Sequence, residues 1–118
     1  FNSLALSGFS QAGKKNASRV EALKVAYLTK KLDLSTDEAQ RFWPLYNNYM
    51  KEVRQARQEQ KADPLPILDW EEKLLSIRKK YEAAFTKALD AERANTFFRA
   101  EKAFLSYLQR ELNKRKED

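Results

Sequence analysis

Proline and glycine interrupt regular structure, and in this chain they are so few and so placed that long helices are almost the only outcome. Of 118 residues, two are glycine (Gly8 and Gly13) and three are proline (Pro44, Pro64 and Pro66). Between them Ala, Leu, Lys, Glu, Arg and Gln dominate, residues that lose little by becoming helical. The fold class that follows is all-α. A chain of this length suits one domain and buries roughly two-thirds of the surface its unfolded form exposes.

Three helix starts carry the same mark. Ser18-Arg19-Val20-Glu21, Ser35-Thr36-Asp37-Glu38 and Asp69-Trp70-Glu71-Glu72 each set a capping oxygen three residues before a glutamate, so that cap and glutamate satisfy each other's free backbone N–H. The first helix is expected from about Arg19 to Lys31 with Val20, Leu23 and Tyr27 on its inner face, and Leu32-Asp33-Leu34 as a tight bend. The second is expected from Thr36 towards Lys61, with Ala39, Phe42, Trp43, Tyr46, Tyr49, Met50 and Val53 at helical spacing. At 1.5 Å per residue it would be about 39 Å long, which implies an elongated molecule. Its end, KEVRQARQEQK, has almost no apolar stripe and reads as a solvent-lined tip. Pro64 and Pro66 force a reversal. A third helix from Asp69 carries Leu74, Ile77, Tyr81, Ala84, Phe85 and Ala88. Near Leu89-Asp90 a fourth begins or the third bends, and Ala94, Phe97, Phe98, Glu101, Phe104, Leu105, Leu108 and Leu112 extend its face.

Pro44 stands out because it lies about two turns inside a carefully started helix. It cannot donate to the carbonyl of Gln40 and its ring crowds that carbonyl, so a bend is expected there. An internal repeat is also visible. LSTDEAQRFWPLYNNY (residues 34–49) aligns with LDAERANTFFRAEKAF (residues 89–104), matching Leu34 with Leu89, Ser35 with Asp90, Ala39 with Ala94, Phe42 with Phe97, Trp43 with Phe98 and Tyr49 with Phe104.

Leu34-Ser35-Thr36-Asp37-Glu38 resembles the LTxxQ motif of the Spy/CpxP family of bacterial envelope proteins, with serine for threonine and glutamate for glutamine. Leu89-Asp90-Ala91-Glu92-Arg93 stands where a second, degraded copy would be. The surrounding RVEALKVAYLTKKLDLSTDEAQRFWPLYNNY is similar to a Bacteroidetes-type branch whose members are labelled sensors of extracytoplasmic-function sigma factors. The resemblance spans about residues 18–108. It implies an elongated four-helix hairpin with a kinked second helix, paired as an antiparallel homodimer into a curved cradle. It also implies a periplasmic, ATP-independent chaperone of unfolded or misfolded envelope proteins, or else a regulatory partner of one membrane-bound signalling protein. Capping physics gives Leu34, Ser35 and Glu38 a folding role of their own: hydrophobic residue before the cap, cap, and glutamate reaching back.

Composition narrows the function further. Cysteine and histidine are both absent, which removes disulfides, the soft and imidazole ligands of zinc or copper sites, and the usual proton shuttle near neutral pH. No cofactor is expected. Metal-responsive relatives bind through histidine, cysteine or methionine, and with one methionine a metal-sensing role is disfavoured. The paired acids Asp37-Glu38 and Glu71-Glu72 fall in first helical turns, where the helix dipole accounts for them. With no nucleophile-and-base motif or phosphate loop, no enzyme is expected.

Residues 1–12, FNSLALSGFSQA, read as a signal-peptide remnant or an N-terminal arm, with Ser10 and Ala12 (or Ala5 and Ser7) as small-x-small positions, and residues 13–118 as one helical domain. Export is therefore expected, with the periplasm as the destination that the resemblance implies, and no segment is apolar for long enough to span a membrane. Twenty-three bases against seventeen acids, a net charge of +6, make a mixed surface with a basic bias. Trp43 and Met50 lie on the flank of the aromatic stripe and are expected to be partly exposed. With Arg54 and Arg57, and with Arg78 and Lys79 on the third helix, they are the candidate residues for clients or a partner. A basic nucleic-acid binder is the remaining alternative, although no recognition helix, zinc finger or aromatic sheet accompanies the charge, so no nucleic acid is expected.

Overall fold

The computed structural model describes residues 17–115 with their side chains, and the leader or arm expected at residues 1–12 lies outside them. Four α-helices and no strand make up the described chain: α1 (Asn2–Leu32), α2 (Thr36–Ala62), α3 (Ile67–Ala88) and α4 (Ala91–Glu117). None is long and apolar enough to cross a membrane among the described residues. The chain divides into two compact units, one of residues 1–33 with 97–118 and one of residues 34–96.

In the second unit α2 and α3 form a helical hairpin. Its α2 start follows the expected capping box: the Glu38 N–H donates to Ser35 Oγ at 3.2 Å and the Ser35 N–H donates to Glu38 Oε1 at 3.0 Å. α2 then runs unbroken through Pro44 to Ala62, so the proline does not divide it into two helices. Phe42, Tyr46, Tyr49, Val53 and Ala56 are buried along one stripe. Val53 closes the expected stripe, and Ala56 carries it one turn further into the end that reads as having almost no apolar stripe. Across the hairpin Phe42 meets Phe85 at 5.1 Å and Tyr49 meets Tyr81 at 5.4 Å between ring centres. Each such pair adds about 0.5–1.5 kcal/mol beyond the area it buries.

The start of α3 corrects the sequence reading. The helix begins at Ile67 with Pro66 as its N-cap and no side-chain cap, two residues ahead of the start expected at Asp69. Pro66 has an extended ψ of 151°, suited to a capping position, and its carbonyl accepts the Trp70 N–H at 3.0 Å, so the helix needs no carboxylate to begin. Asp69 falls in the first turn, where its charge favours the helix dipole. The turn itself is held by Gln60, whose amide donates to the Leu65 carbonyl at 3.1 Å and accepts the Leu65 N–H at 2.9 Å.

The first unit pairs α1 with the later part of α4. α1 has no start at Ser18, which lies inside the helix, so its N–H neighbours are served by the preceding turn and the expected capping box does not form. The helix ends at Leu32, and Asp33, at φ 47°, makes the tight bend in the left-handed region that aspartate tolerates better than most residues. The inner face is Lys24, Leu28 and Leu32, whereas Val20 and Leu23 are exposed and Tyr27 is half-buried. Apolar periodicity passes over a lysine, yet here Lys24 Nζ reaches Glu101 Oε2 at 2.9 Å with both side chains almost covered. A paired charge can take a core position that an unpaired one cannot. Tyr27 packs against Phe104 and Tyr107 beside them, at 5.6 and 6.0 Å.

This buried pair makes a measurable prediction. Lys24→Met, which takes from the buried Glu101 carboxylate its ion-pair partner, is expected to cost up to about 3–5 kcal/mol, and the double change Lys24→Met with Glu101→Leu to cost less than the single one. Denaturant midpoints measure both; a double variant as weak as the single one would contradict the account.

Candidate functional site

The two repeat starts converge on one polar cluster. The chain breaks between α3 and α4 at Leu89-Asp90, and Asp90 caps α4: the Arg93 N–H donates to Asp90 Oδ1 at 2.7 Å. Asp90 therefore does for α4 what Ser35 does for α2. The residue three places on differs, Glu38 in one copy and Arg93 in the other, and the two side chains find each other. Arg93 Nη1 donates to Glu38 Oε1 at 2.7 Å and Nη2 donates to Glu38 Oε2, while Arg93 Nε holds Asp90 Oδ2 at 3.0 Å. The apparent degradation of the second motif is thus a charge exchange that lets the two starts bind one another. Arg41, one turn along α2, donates to the Ala88 carbonyl at the end of α3 at 3.0 Å.

The carboxylates respond accordingly. Glu38 is lowered to about 2, first by the Arg93 hydrogen bond and then by the Ser35 N–H, and Asp90 is lowered by Arg93 through its backbone N–H and its side chain. A second cluster joins the middle of the hairpin: the Tyr81 hydroxyl donates to Glu52, and Lys80 Nζ lies 3.0 Å from the same carboxylate. Burial, with Glu52 beside it, pushes the Tyr81 phenol up to about 12, and Tyr81 and Lys80 hold Glu52 below its usual range. Both clusters hold helices in register. Among the described residues no group of three acidic, cysteine or histidine side chains is placed to hold a metal ion.

The aromatic pairs of the two repeats match as closely as their caps. Phe42 and Trp43 meet edge-to-face at 4.9 Å and 79°, and Phe97 and Phe98 at 4.9 Å and 83°. In both, the first ring is buried and the second half-buried. Leu34 and Leu89, each just before its cap, are also half-buried.

Of the candidate binding residues, Trp43, Met50, Arg54 and Arg57 share one face of α2, being seven, four and three residues apart. Trp43 and Met50 are half-buried, and Trp43 leans on Phe42 and Tyr46, while Arg54 and Arg57 are exposed. On α3, Arg78 is half-buried and Lys79 exposed; their neighbour Lys80 is the base that crosses to α2.

Among the described residues, the large apolar side chains left exposed are others. Leu65, Ile67, Leu68 and Leu75 surround the start of α3, and Val20, Leu23, Leu105 and Leu112 lie along α1 and α4. Sequence reasoning placed Val20, Leu23, Leu105 and Leu112 on helix faces and, by starting the third helix at Asp69, left Ile67 and Leu68 outside it. The signal for the latter was Pro66, which allows a helix to open immediately after it.

Acid titration tests the polar cluster. Glu38 has its carboxyl lowered on folding, so its contribution is whole above about pH 4.5 and is lost as pH falls through about 2. Glu38→Gln keeps a capping-box oxygen but loses the charge facing Arg93. It is expected to melt lower than the parent at pH 7 and to lose less stability between pH 4.5 and 2. Equal acid limbs in thermal melts would show that the pair does not stabilise the fold.

Comparison with family models, with curated proteins and with solved structures found no match for this chain, so what it does has to be read from its own surfaces.

Proposed function

We propose that the chain is a periplasmic, chaperone-like protein of the Spy/CpxP type that holds unfolded or misfolded envelope proteins without ATP, and is no enzyme. The observation that carries this reading is the set of large aliphatic side chains left uncovered beside charge. Ile67 and Leu68 are 68% and 73% exposed and Leu23 and Leu112 about half, in a chain of net charge +6. Apolar surface retains a flexible client and long-range charge speeds its capture. Trp43, Met50, Arg54, Arg57, Arg78 and Lys79 are further proposed client-binding residues within residues 34–96. The LTxxQ-like start at Leu34, Ser35 and Glu38 and the matching Leu89-Asp90 start support the family reading. Its finer architecture is part of the proposal too: an elongated cradle, a homodimer, and a second helix bent at Pro44 so that the aromatic stripe curves.

Suppression of aggregation of a denatured model protein tests the activity. Suppression without nucleotide is expected, weakening as salt rises, because exposed charges are screened beyond about 10 Å at 0.1 M. No suppression at any salt would exclude a chaperone. Pull-down from an envelope extract separates the readings: many unrelated proteins support the chaperone, and one stoichiometric partner supports the sensor of an extracytoplasmic-function sigma factor system.

Pro44→Ala restores a backbone donor and relieves a ring clash, a change worth up to about 3 kcal/mol. The variant is expected to melt higher and to bind clients less well. A stabilised variant that binds as well as the parent would remove the proposed role of the bend.

A further inference from the structure

The first unit holds a recess of about 490 Å³ between α1 and α4, with hydrocarbon at one end and cations at the other. Among the described residues, Val20 and Leu23 of α1 and Tyr107, Leu108 and Leu112 of α4 make its apolar walls, and Arg19 and Arg115 also line it. The two helices run antiparallel here: Tyr27 packs against Phe104 and Tyr107, while Arg19, two turns earlier in α1, shares the recess with Arg115, later in α4. From Arg19 to Leu23 is about one turn, and from Arg115 through Leu112 to Leu108 about two. Both walls therefore lead from an arginine towards the rings of Tyr27, Phe104 and Tyr107.

The cations are available to a ligand. Arg19 and Arg115 are exposed, and neither has an ion-pair or hydrogen-bond partner among the described residues. Glu111, the acid in this lining, has Lys114 3.7 Å away, so the arginines outweigh it. A guanidinium is weakly hydrated and can hold a carboxylate through two parallel N–H donors. Sites for small ligands enclose about 300–1,000 Å³ and are mostly apolar with a few placed polar groups, a description this recess meets. A docked helix wants a groove several turns long, whereas this one follows α4 for roughly 10 Å.

We infer that the α1–α4 recess binds a fatty acid, its single hydrocarbon chain lying along Val20, Leu23, Leu108 and Leu112 and its carboxylate at Arg19 and Arg115. The site goes beyond the client-holding reading and does not depend on it. Binding is reversible: without fatty acid Leu23 and Leu112 stay uncovered, and Ile67 and Leu68 do not line the recess at all. Aggregation assays run without fatty acid test the one reading and ligand binding tests the other, so either can fail alone.

The probe is dansyl-undecanoic acid, whose emission rises and shifts to the blue in an apolar site. It is titrated with the full chain and then displaced by laurate or by lauryl alcohol, which has the same hydrocarbon without the charge. The parent is expected to bind the probe at micromolar concentration, and laurate to displace it at least tenfold better than the alcohol. Arg19→Gln with Arg115→Gln is expected to erase that preference, and Leu23→Gln with Leu112→Gln to weaken probe and competitors at least tenfold. Leu75→Gln, as exposed as Leu112 but outside the recess, controls for loose apolar contact and is expected to bind like the parent. Far-UV circular dichroism checks each fold, and the comparison of laurate with the alcohol on the parent needs no variant. A parent that binds no probe, an alcohol that competes as well as laurate, or probe binding lost in Leu75→Gln and kept in the Leu23 and Leu112 variant overturns the inference. Probe binding that falls as protein concentration and sedimenting mass rise gives the recess to a second copy, and overturns it too.

Discussion

The bidentate pair of Glu38 and Arg93 joins residues 55 apart in sequence, and much of the second unit depends on it. Each partner sits three residues after a helix cap, so the pair fixes not only two side chains but the starts of α2 and α4. Arg41 ties the end of α3 into the same place through the Ala88 carbonyl. Two helix starts are thereby satisfied by side chains that also hold one another, and Arg41 serves the end of a third helix beside them, where otherwise water would have to serve their free backbone groups. A planar guanidinium suits this task because its donors can grip a carboxylate on one side and the Asp90 carboxylate on another. Lysine would offer charge without that fork.

The starts of α2 and α4 follow one sequence pattern. Two copies of one leucine-cap-aromatic pattern retain the same buried and half-buried ring at the same separation. They diverge at the third position after the cap, from an acid to a base. Two glutamates there would repel; a glutamate and an arginine attract. Divergence at that one position converts a repeat into a contact.

What could be read from residues alone was whatever local chemistry decides. The box at Ser35 and Glu38, the reversal at Pro64 and Pro66, the burial of Phe42, Tyr46, Tyr49, Tyr81 and Phe85, and the half-burial of Trp43 and Met50 all follow from spacing within a few turns. Ser18 and Asp69 show the limit of that reasoning. Both have the residues of a cap, but each lies inside a helix that began earlier, so the N–H groups two and three residues on are already paired with carbonyls one turn back. The inner face of α1 was missed because it includes Lys24, whose partner Glu101 lies 77 residues away. A separation of 55 residues likewise hid the Glu38–Arg93 pair. For the binding surface, aromatic residues drew attention because they stand out in sequence, yet rings that pack edge-to-face within a helix partly cover one another. The aliphatic side chains without such neighbours, Ile67 and Leu68 above all, are the ones left in water.

The two tryptophans, Trp43 and Trp70, both belong to residues 34–96, and the other unit has none. Intrinsic tryptophan emission is therefore a private signal of one half of the molecule, while the amide absorption of the helices reports both. A chain built this way carries its own two-probe test of cooperativity: coincident fluorescence and circular dichroism transitions mean the units unfold as one, and separated transitions mean that each has a stability of its own.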